Sequence, residues 1–276
     1  MRKKCSTVSF KSQVIYCGID VHKKSWKVCT RHCGMQLDNF SMNPDPQKLT
    51  EYLKRNYPEA EYRSVYEAGF SGFEAHRTLC NLGVKNIVIN PADVPTSGRE
   101  RNYKNDSIDS RKLARELENG SLIGIYIPER ENLILRDLTR RKEQVTGNIT
   151  RIKNRIHSHL NFNGVEFRGW SGSSLKIMES DAEKRFDFAL LSALRELRFH
   201  REERLRVIRS EHECVKRLKR EEIQKHLESI PGIGFDTAVV LQAELWDMKR
   251  FKGKDQLNSY VGLAPHLVGP ASGRER

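Results

Sequence analysis

The spacing of apolar residues changes character twice along the 276-residue chain, and each change predicts a different kind of structure. Residues 14–30, VIYCGIDVHKKSWKVCT, read as two strands of a hairpin. Val14, Tyr16 and the small Gly18 lead to Asp20, and the positions from Trp26 to Thr30 alternate again. Residues 37–40 predict a third strand, which makes a meander. Residues 43–56 predict a helix with proline at its start and Leu49, Tyr52 and Leu53 on one face. A short strand over 62–66 ends in Glu67 and is followed by AGFSG. A helix over 73–82 stops at Gly83, and 84–89 is a strand of the fully buried type. Three strands, then helix and strand in alternation, argue for an α/β domain with a mixed sheet.

From residue 131 the period becomes helical and stays so. Leu138, Val145, Ile149, Ile152 and Ile156 recur at steps of three and four, which predicts one long helix with an apolar seam. Residues 161–174, with three glycines and two asparagines, break it. A second seam follows in Leu190, Leu194, Leu197, Leu205, Ile208, Val215 and Leu218. Two such helices joined by a polar loop predict an antiparallel hairpin or coiled coil. Residues 227–245, LESIPGIGFDTAVVLQAEL, then place a Pro-Gly-Ile-Gly turn between two helical stretches. This turn reads either as a helix-hairpin-helix, whose backbone N–H groups near Gly232 and Gly234 can hold a phosphate, or as a plain helical corner.

Charge narrows the class of partner. Lys and Arg number 49 against 36 Asp and Glu, and the pI is near 9.5, so a polyanion is the expected partner, nucleic acid before membrane. No run approaches the roughly 18 apolar residues of a spanning helix. The N-terminal MRKKCSTVSFKSQ is basic but lacks the apolar core of a signal peptide, so a cytoplasmic protein is expected. The six cysteines are scattered; Cys29, His32 and Cys33 lie close together but no second cluster with zinc spacing accompanies them, so reduced thiols are expected. Between residues 129 and 226 basic residues exceed acidic ones by 23 to 16. Arg136, Arg140, Arg141, Lys142, Arg151, Lys153 and Arg155 are assigned to the faces of the first long helix away from its seam. They describe either a salt-bridged solvent face or, as favoured here, a dimerisation stalk touching the nucleic-acid backbone.

Carboxylates supply the candidate chemistry. Asp106 and Asp109 in KNDSIDSRKLARE are three apart, hence on one helix face a turn apart. They read as an ordinary N-cap and N3 pair or as half of a cation site. Asp20 closes an apolar strand, where a carboxylate is costly to bury unless paired or metal-bound, and Glu67 repeats that pattern. Two acids at strand ends and two at a helix entry are positions a sheet can bring together. That is the arrangement of the ribonuclease-H-like nucleases, whose carboxylates hold two divalent metals for phosphodiester chemistry. Oxygen donors of this type suit Mg²⁺ or Mn²⁺.

GIDVHK, YEAG, the INP that closes the strand over 84–89 and KNDSIDSRKLA resemble, in order and spacing, the motifs of the DEDD transposases of the IS-110 (IS-116/IS-902) insertion-sequence group. The nuclease domain of that group resembles the Holliday-junction resolvase RuvC. The resemblance implies a metal-binding tetrad of Asp20, Glu67, Asp106 and Asp109, flanked by His22, Lys23 and Lys104 near phosphates. It also implies a RuvC-like domain over 1–128, a basic coiled-coil linker over 129–226 and a C-terminal transposase domain over 227–276. In that last part GLAP and SG stand where the group has them, which implies Ser272 as the nucleophile, with Ser259 as the second choice. The group's implied activity is DNA strand cleavage and exchange guided by a structured bridge RNA, in a homodimer or homotetramer. The group continues past the serine with a further basic helical segment, so a C-terminal domain ending at Arg276 is expected to be incomplete. A hydrolytic junction endonuclease and a non-catalytic nucleic-acid-binding remnant are the alternative functions.

Overall fold

The computed structural model describes residues 9–94 and 106–263, with the backbone alone at 106–108. Strand β1 (Val14–Val21) is the middle of a five-stranded sheet ordered β3-β2-β1-β4-β5. Its neighbours β2 (Trp26–His32) and then β3 (Met35–Met42) run antiparallel in the predicted meander. On the other side β4 (Glu61–Glu67) runs parallel to β1, and β5 (Lys85–Ile89) runs parallel to β4. Parallel neighbours need crossover connections. Helix α1 (Pro46–Asn56) links β3 to β4, and α2 (Glu74–Asn81) links β4 to β5. Asp45 starts α1 by accepting the Gln47 and Lys48 backbone N–H groups at 2.9 and 3.2 Å, with Pro46 in the first turn, where a missing N–H costs nothing.

The two faces of this sheet are covered by different helices, and strand alternation decides which residue faces which. Ile15, Cys17 and Ile19 of β1 pack with Leu49 and Leu53 of α1 and Leu79 of α2 in the larger core. Val65 and Ile89 face the other way, against Leu113 of α3 (Asp106–Glu118). A meander of three strands with two parallel strands added beside the first is the ribonuclease-H-like order, as expected.

The chain divides into two compact units, Met1–Ile127 and Pro128–Arg276. In the second, α4 (Arg130–Phe162) has 33 residues and is about 50 Å long at 1.5 Å per residue. It packs along α6 (Phe188–Arg217), and Ile152, Ile156, Leu160, Leu190, Leu194 and Leu197 close the seam between them. Three expectations need correction. The connection is not only a polar loop: α5 (Gly172–Lys184), capped by the Ser171 side chain, lays Met178 and Ala182 into that core. Leu205 is 52% exposed; the buried position of α6 in this stretch is Val207, with Arg204 and Ile208 half-buried beside it. Arg136 and Lys142 are buried in α4 rather than displayed on its outer faces. The unit ends in α7 (Glu221–Glu228), α8 (Phe235–Leu245) and α9 (Lys254–Tyr260). Among the described residues no helix is long and apolar enough to cross a membrane.

Candidate metal centre and nucleic-acid surfaces

Parallel pairing of Gly18 with Val65 and Ile19 with Tyr66 ends β1 and β4 side by side. One step further along that register stand Asp20 and Glu67. Alternation turns both toward the face shared by Gly18 and Val65, the α3 side. The helix lies against the strand itself. A Cβ built on Gly18 would stand 2.2 Å from the Ser110 carbonyl oxygen and 2.4 Å from the Ala114 nitrogen. Only glycine permits that approach.

The direction of α3 follows from its other end. Glu118 accepts Arg31 Nε at 2.9 Å and the Gly34 N–H at 2.7 Å, and Arg31 pairs with Tyr16 near the start of β1. The helix is therefore antiparallel to β1, and its N-terminal turn heads toward the strand's Asp20 end. Two strand steps from Gly18 to Asp20 advance about 6.6 Å. Four helix steps from Ser110 back to Asp106 advance about 6 Å. The turn carrying Asp106 and Asp109 thus comes level with the ends of β1 and β4.

Asp20 is mostly covered, its side chain 18% exposed, and its Oδ2 lies 3.0 Å from His22 Nε2. His22 is held in turn by its N–H to the Ser25 carbonyl at 3.2 Å, which closes the β1–β2 turn. Glu67 and Asp109 are half-buried, and Lys23 is exposed on the turn. The Asp106 side chain, Lys104 and Ser272 lie outside the described residues. Among the described residues no group of three or more His, Cys, Asp or Glu side chains stands close enough to hold a metal ion. The donor type still suits a hard divalent cation, since Asp20, Glu67 and Asp109 each offer carboxylate oxygens. Sequence reading passed over Phe70, which stands 71% exposed just past Glu67 beside a cavity of about 330 Å³ that His22 and Lys23 also line. Its signal was a lone aromatic residue between two glycines.

In the second unit the stalk cations divide. Arg140 pairs with Glu244 at 3.3 Å, Arg141 with Glu203 at 3.7 Å and Arg155 with Glu196 at 3.4 Å. Arg151 bonds the neighbouring Asn148, and Lys153 stands over the Trp170 ring at 5.2 Å. The four arginines are exposed, and exposed pairs are worth only about 0–1 kcal/mol, so these partners bind them weakly. The Pro-Gly-Ile-Gly turn joins α7 to α8, with Gly232 at φ +89° and Gly234 preceding the first turn of α8. That first turn carries Asp236, engaged by Lys142 at 3.2 Å and Arg204 at 3.7 Å. At its far end α8 is finished by side chains from the stalk. Asn132 Nδ2 donates to the Ala243 carbonyl at 2.6 Å, and Arg136 donates to the Ala243 and Glu244 carbonyls, each at 3.0 Å. Arg136 also donates to the Tyr260 hydroxyl at 2.7 Å, which ties down α9, the helix that carries the exposed Ser259. Sequence reading missed Asn132 and misplaced Arg136, because nothing local marks a side chain that caps a helix more than a hundred residues away.

Residues 17–163, which include all four carboxylates, match the family model for DEDD transposases of IS110 elements, described as "Transposase". Residues 224–273, which include Gly232, Gly234, Ser259 and Ser272, match the model described as "Transposase IS116/IS110/IS902 family". The putative transposase y4qE of Sinorhizobium fredii (strain NBRC 101917 / NGR234) is 26% identical over 201 residues, 72% of this chain and 49% of that protein. The putative transposase y4rJ of the same organism is 28% identical over 231 residues, 73% of this chain and 56% of that protein. The transposase for insertion sequence element IS1533 of Leptospira borgpetersenii is 27% identical over 150 residues, 53% of this chain and 43% of its own length. The chain spans about half the length of these curated relatives. Among solved structures, T. thermophilus RuvC in complex with a Holliday junction substrate aligns with 99% of its chain and 41% of this one, at 13% identity and a TM-score of 0.30.

Proposed function

Because the chain belongs to the IS110 family of DEDD transposases, we propose that it cuts and rejoins DNA strands, with Asp20, Glu67, Asp106 and Asp109 holding Mg²⁺ or Mn²⁺. The observation that supports this most is the backbone meeting at Gly18, which draws the entry turn of α3 against the neighbouring ends of β1 and β4. Bound there, divalent ions supply Lewis-acid stabilisation of the charge that builds on the phosphodiester. The hydrogen bond from His22 holds Asp20 in one orientation, and Lys23 and Lys104 steady the phosphates on either side. Ser272 is the proposed nucleophile. Its Oγ forms a bond to phosphorus while the P–O3′ bond breaks, the hydroxyl proton leaves, and the departing 3′ oxygen takes up a proton. Reversal of the same step on a second DNA joins the strand anew.

The protein proposed here acts as a homodimer or homotetramer guided by a structured bridge RNA, with 1–128 as nuclease, 129–226 as linker and 227–276 as C-terminal transposase domain. Base pairing then selects sequence, while Arg140, Arg141, Arg151, Lys153, Arg155 and the backbone at Gly232 and Gly234 contact phosphates without reading bases. Incubation of the chain with supercoiled and branched DNA in Mg²⁺ tests this reading. Cleavage is expected, with a denaturant-resistant protein–DNA adduct. Asp109→Ala abolishes both, Ser272→Ala abolishes the adduct, and Ser259→Ala leaves it. Cleavage without an adduct reassigns the nucleophile to water. Salt-sensitive binding without cleavage, indifferent to Mg²⁺ and to Asp109→Ala, would falsify the proposal.

A further inference from the structure

A cleft of about 600 Å³ opens on the outer face of α4, lined by Thr150, Lys153, Asn154, His157, Ser158, Asn161 and Trp170. Helical spacing puts the six α4 residues on one face, while Ile152, Ile156 and Leu160 turn inward to the core. Trp170 comes from the connection before α5 and is one end of a stepped aromatic row. The His157 and Phe167 rings are 5.2 Å apart and nearly edge-on, and the Phe167 and Trp170 rings are 4.8 Å apart and tilted. The Trp170 carbonyl accepts Arg201 Nη2 at 2.9 Å, which fixes the backbone that carries the indole. The Asn154 and Ser158 side chains line the opening without a hydrogen-bond partner among the described residues, and no acidic side chain lines it. A second cleft of about 490 Å³ shares Thr150 and Lys153 and continues to Arg201 and Arg204, so Lys153 stands where the two meet.

An aromatic plane, amides and hydroxyls that can donate and accept, a cation at the rim and further cations beyond it match an unpaired nucleotide. A duplex has its base faces stacked away and offers such a site only phosphates. We infer that this cleft binds an unpaired nucleotide of a single strand, its base against the Trp170 indole and its phosphate at Lys153. Asn154 and Ser158 meet the base edge, and Arg201 and Arg204 take the backbone that follows. Lys153 covers the indole at 5.2 Å by a flexible stem, so it can pass to the phosphate as the base arrives. This extends the nucleic-acid reading above from backbone contact to base contact, and it requires neither the carboxylates nor a metal.

The test uses the full chain, short oligo(dT) and oligo(U) strands and a blunt duplex of random sequence, without divalent metal. Trp170 is one of three tryptophans, Trp26 being buried and Trp246 packed 3.9 Å beneath the Arg220 guanidinium, so intrinsic fluorescence reports on the cleft. A single strand is expected to quench it; whichever of oligo(dT) and oligo(U) binds tighter identifies the strand as DNA or RNA. Trp170→Leu removes the quenching and weakens single-strand binding by about tenfold, the range expected for one stacked base. Duplex binding changes by less than twofold. Trp170→Phe keeps most of the affinity, which separates stacking from misfolding, and circular dichroism confirms the helices. Unchanged single-strand affinity in Trp170→Leu, or an equal loss on duplex, overturns the inference. Asp109→Ala leaves single-strand binding intact, so failure of the cleavage chemistry and failure of this cleft show up as different results.

Discussion

Gly18→Ala tests the joint on which the proposed metal centre depends. The added Cβ would stand 2.2 Å from the Ser110 oxygen and 2.4 Å from the Ala114 nitrogen, with the Leu113 Cβ at 3.0 Å. Ordinary contacts lie near 3.5 Å, so the shortfall is on the order of an ångström. The two nearest atoms are backbone of α3, and no rotamer change relieves them. The helix must therefore move outward as a body, losing packing of Leu113 on Val65 and Ile89. Overpacking of this kind costs about 1–3 kcal/mol, and the rigid neighbours place this case at the upper end. For a unit of this size that lowers Tm by roughly 10 °C. In the proposed centre, a helix moved by about 1 Å also displaces Asp109 relative to Asp20 and Glu67, and a displacement of that size is expected to cost on the order of 100-fold in rate. Thermal unfolding and Mg²⁺-dependent DNA cleavage read the two effects separately. Gly69→Ala is the control for stability, since nothing lies within 4 Å of its Cβ position, and it is expected to change stability by less than about 0.5 kcal/mol. A Gly18→Ala protein with the wild-type Tm and cleavage rate refutes the geometry outright.

Two further predictions concern the second unit. Lys142 Nζ lies 2.9 Å from the fully buried Glu211, so Lys142→Met leaves a buried carboxylate without its main counter-charge and costs about 3–5 kcal/mol in urea unfolding. Burial already pushes the Glu211 carboxyl up, with Lys142 opposing, so acidification should shrink that deficit, and the double change with Glu211→Leu should recover most of it. Asp187 starts α6 by accepting the Leu190 N–H at 3.0 Å and also bonds His159 Nε2 at 2.7 Å. Burial pushes its carboxyl up, but the His159 and Leu190 bonds outweigh that and leave it below its ordinary value. A lowered folded pKa stabilises above the unfolded value near 4 and loses that stabilisation as pH falls through the folded one. Asp187→Asn keeps the cap, so it should cost about 1–2 kcal/mol near neutrality and almost nothing near pH 2, as read by denaturant midpoints at both pH values.

The sheet was legible because its strands obey local rules. Alternation in 14–21, the Gly83 stop and the buried-type run before Asn90 each fix a short element by its own residues. The acids at the ends of β1 and β4 were legible for the same reason, since a carboxylate closing an apolar run stands out at once. What gave no signal was the contact between Gly18 and α3, roughly ninety residues apart. A glycine in a strand reads as weak packing until the helix that fills its missing Cβ is in place. Helix α5 was passed over for a related reason: its buried positions are Met178 and Ala182, one flexible and one small, and they trace no stripe.

The second long helix shows how a correct period can still mislead. Starting at Leu190, steps of four and three run through Leu194, Leu197, Arg201, Arg204, Ile208, Glu211, Val215 and Leu218. Three of those nine seam positions are charged. A reading that looks only for apolar residues leaves the seam at Leu197, picks up Leu205, and places an exposed leucine in the core. The structure keeps the period and changes the chemistry. Arg201 reaches the Trp170 carbonyl, Arg204 reaches Asp236, and Glu211 takes Lys142 from α4. Of these, only the Glu211–Lys142 pair is buried, and a buried ion pair is expensive unless matched, so that level rejects registers in which the two miss each other. Two of the three matches, through Asp236, also attach the hairpin to the first turn of α8. The charged seam thus adds a grip on the first turn of α8, beside the Asn132 and Arg136 bonds at its far end and the packing of Val239 and Ala243 on Leu135 and Val215. An all-leucine seam would keep the packing and lose the Arg204–Asp236 pair.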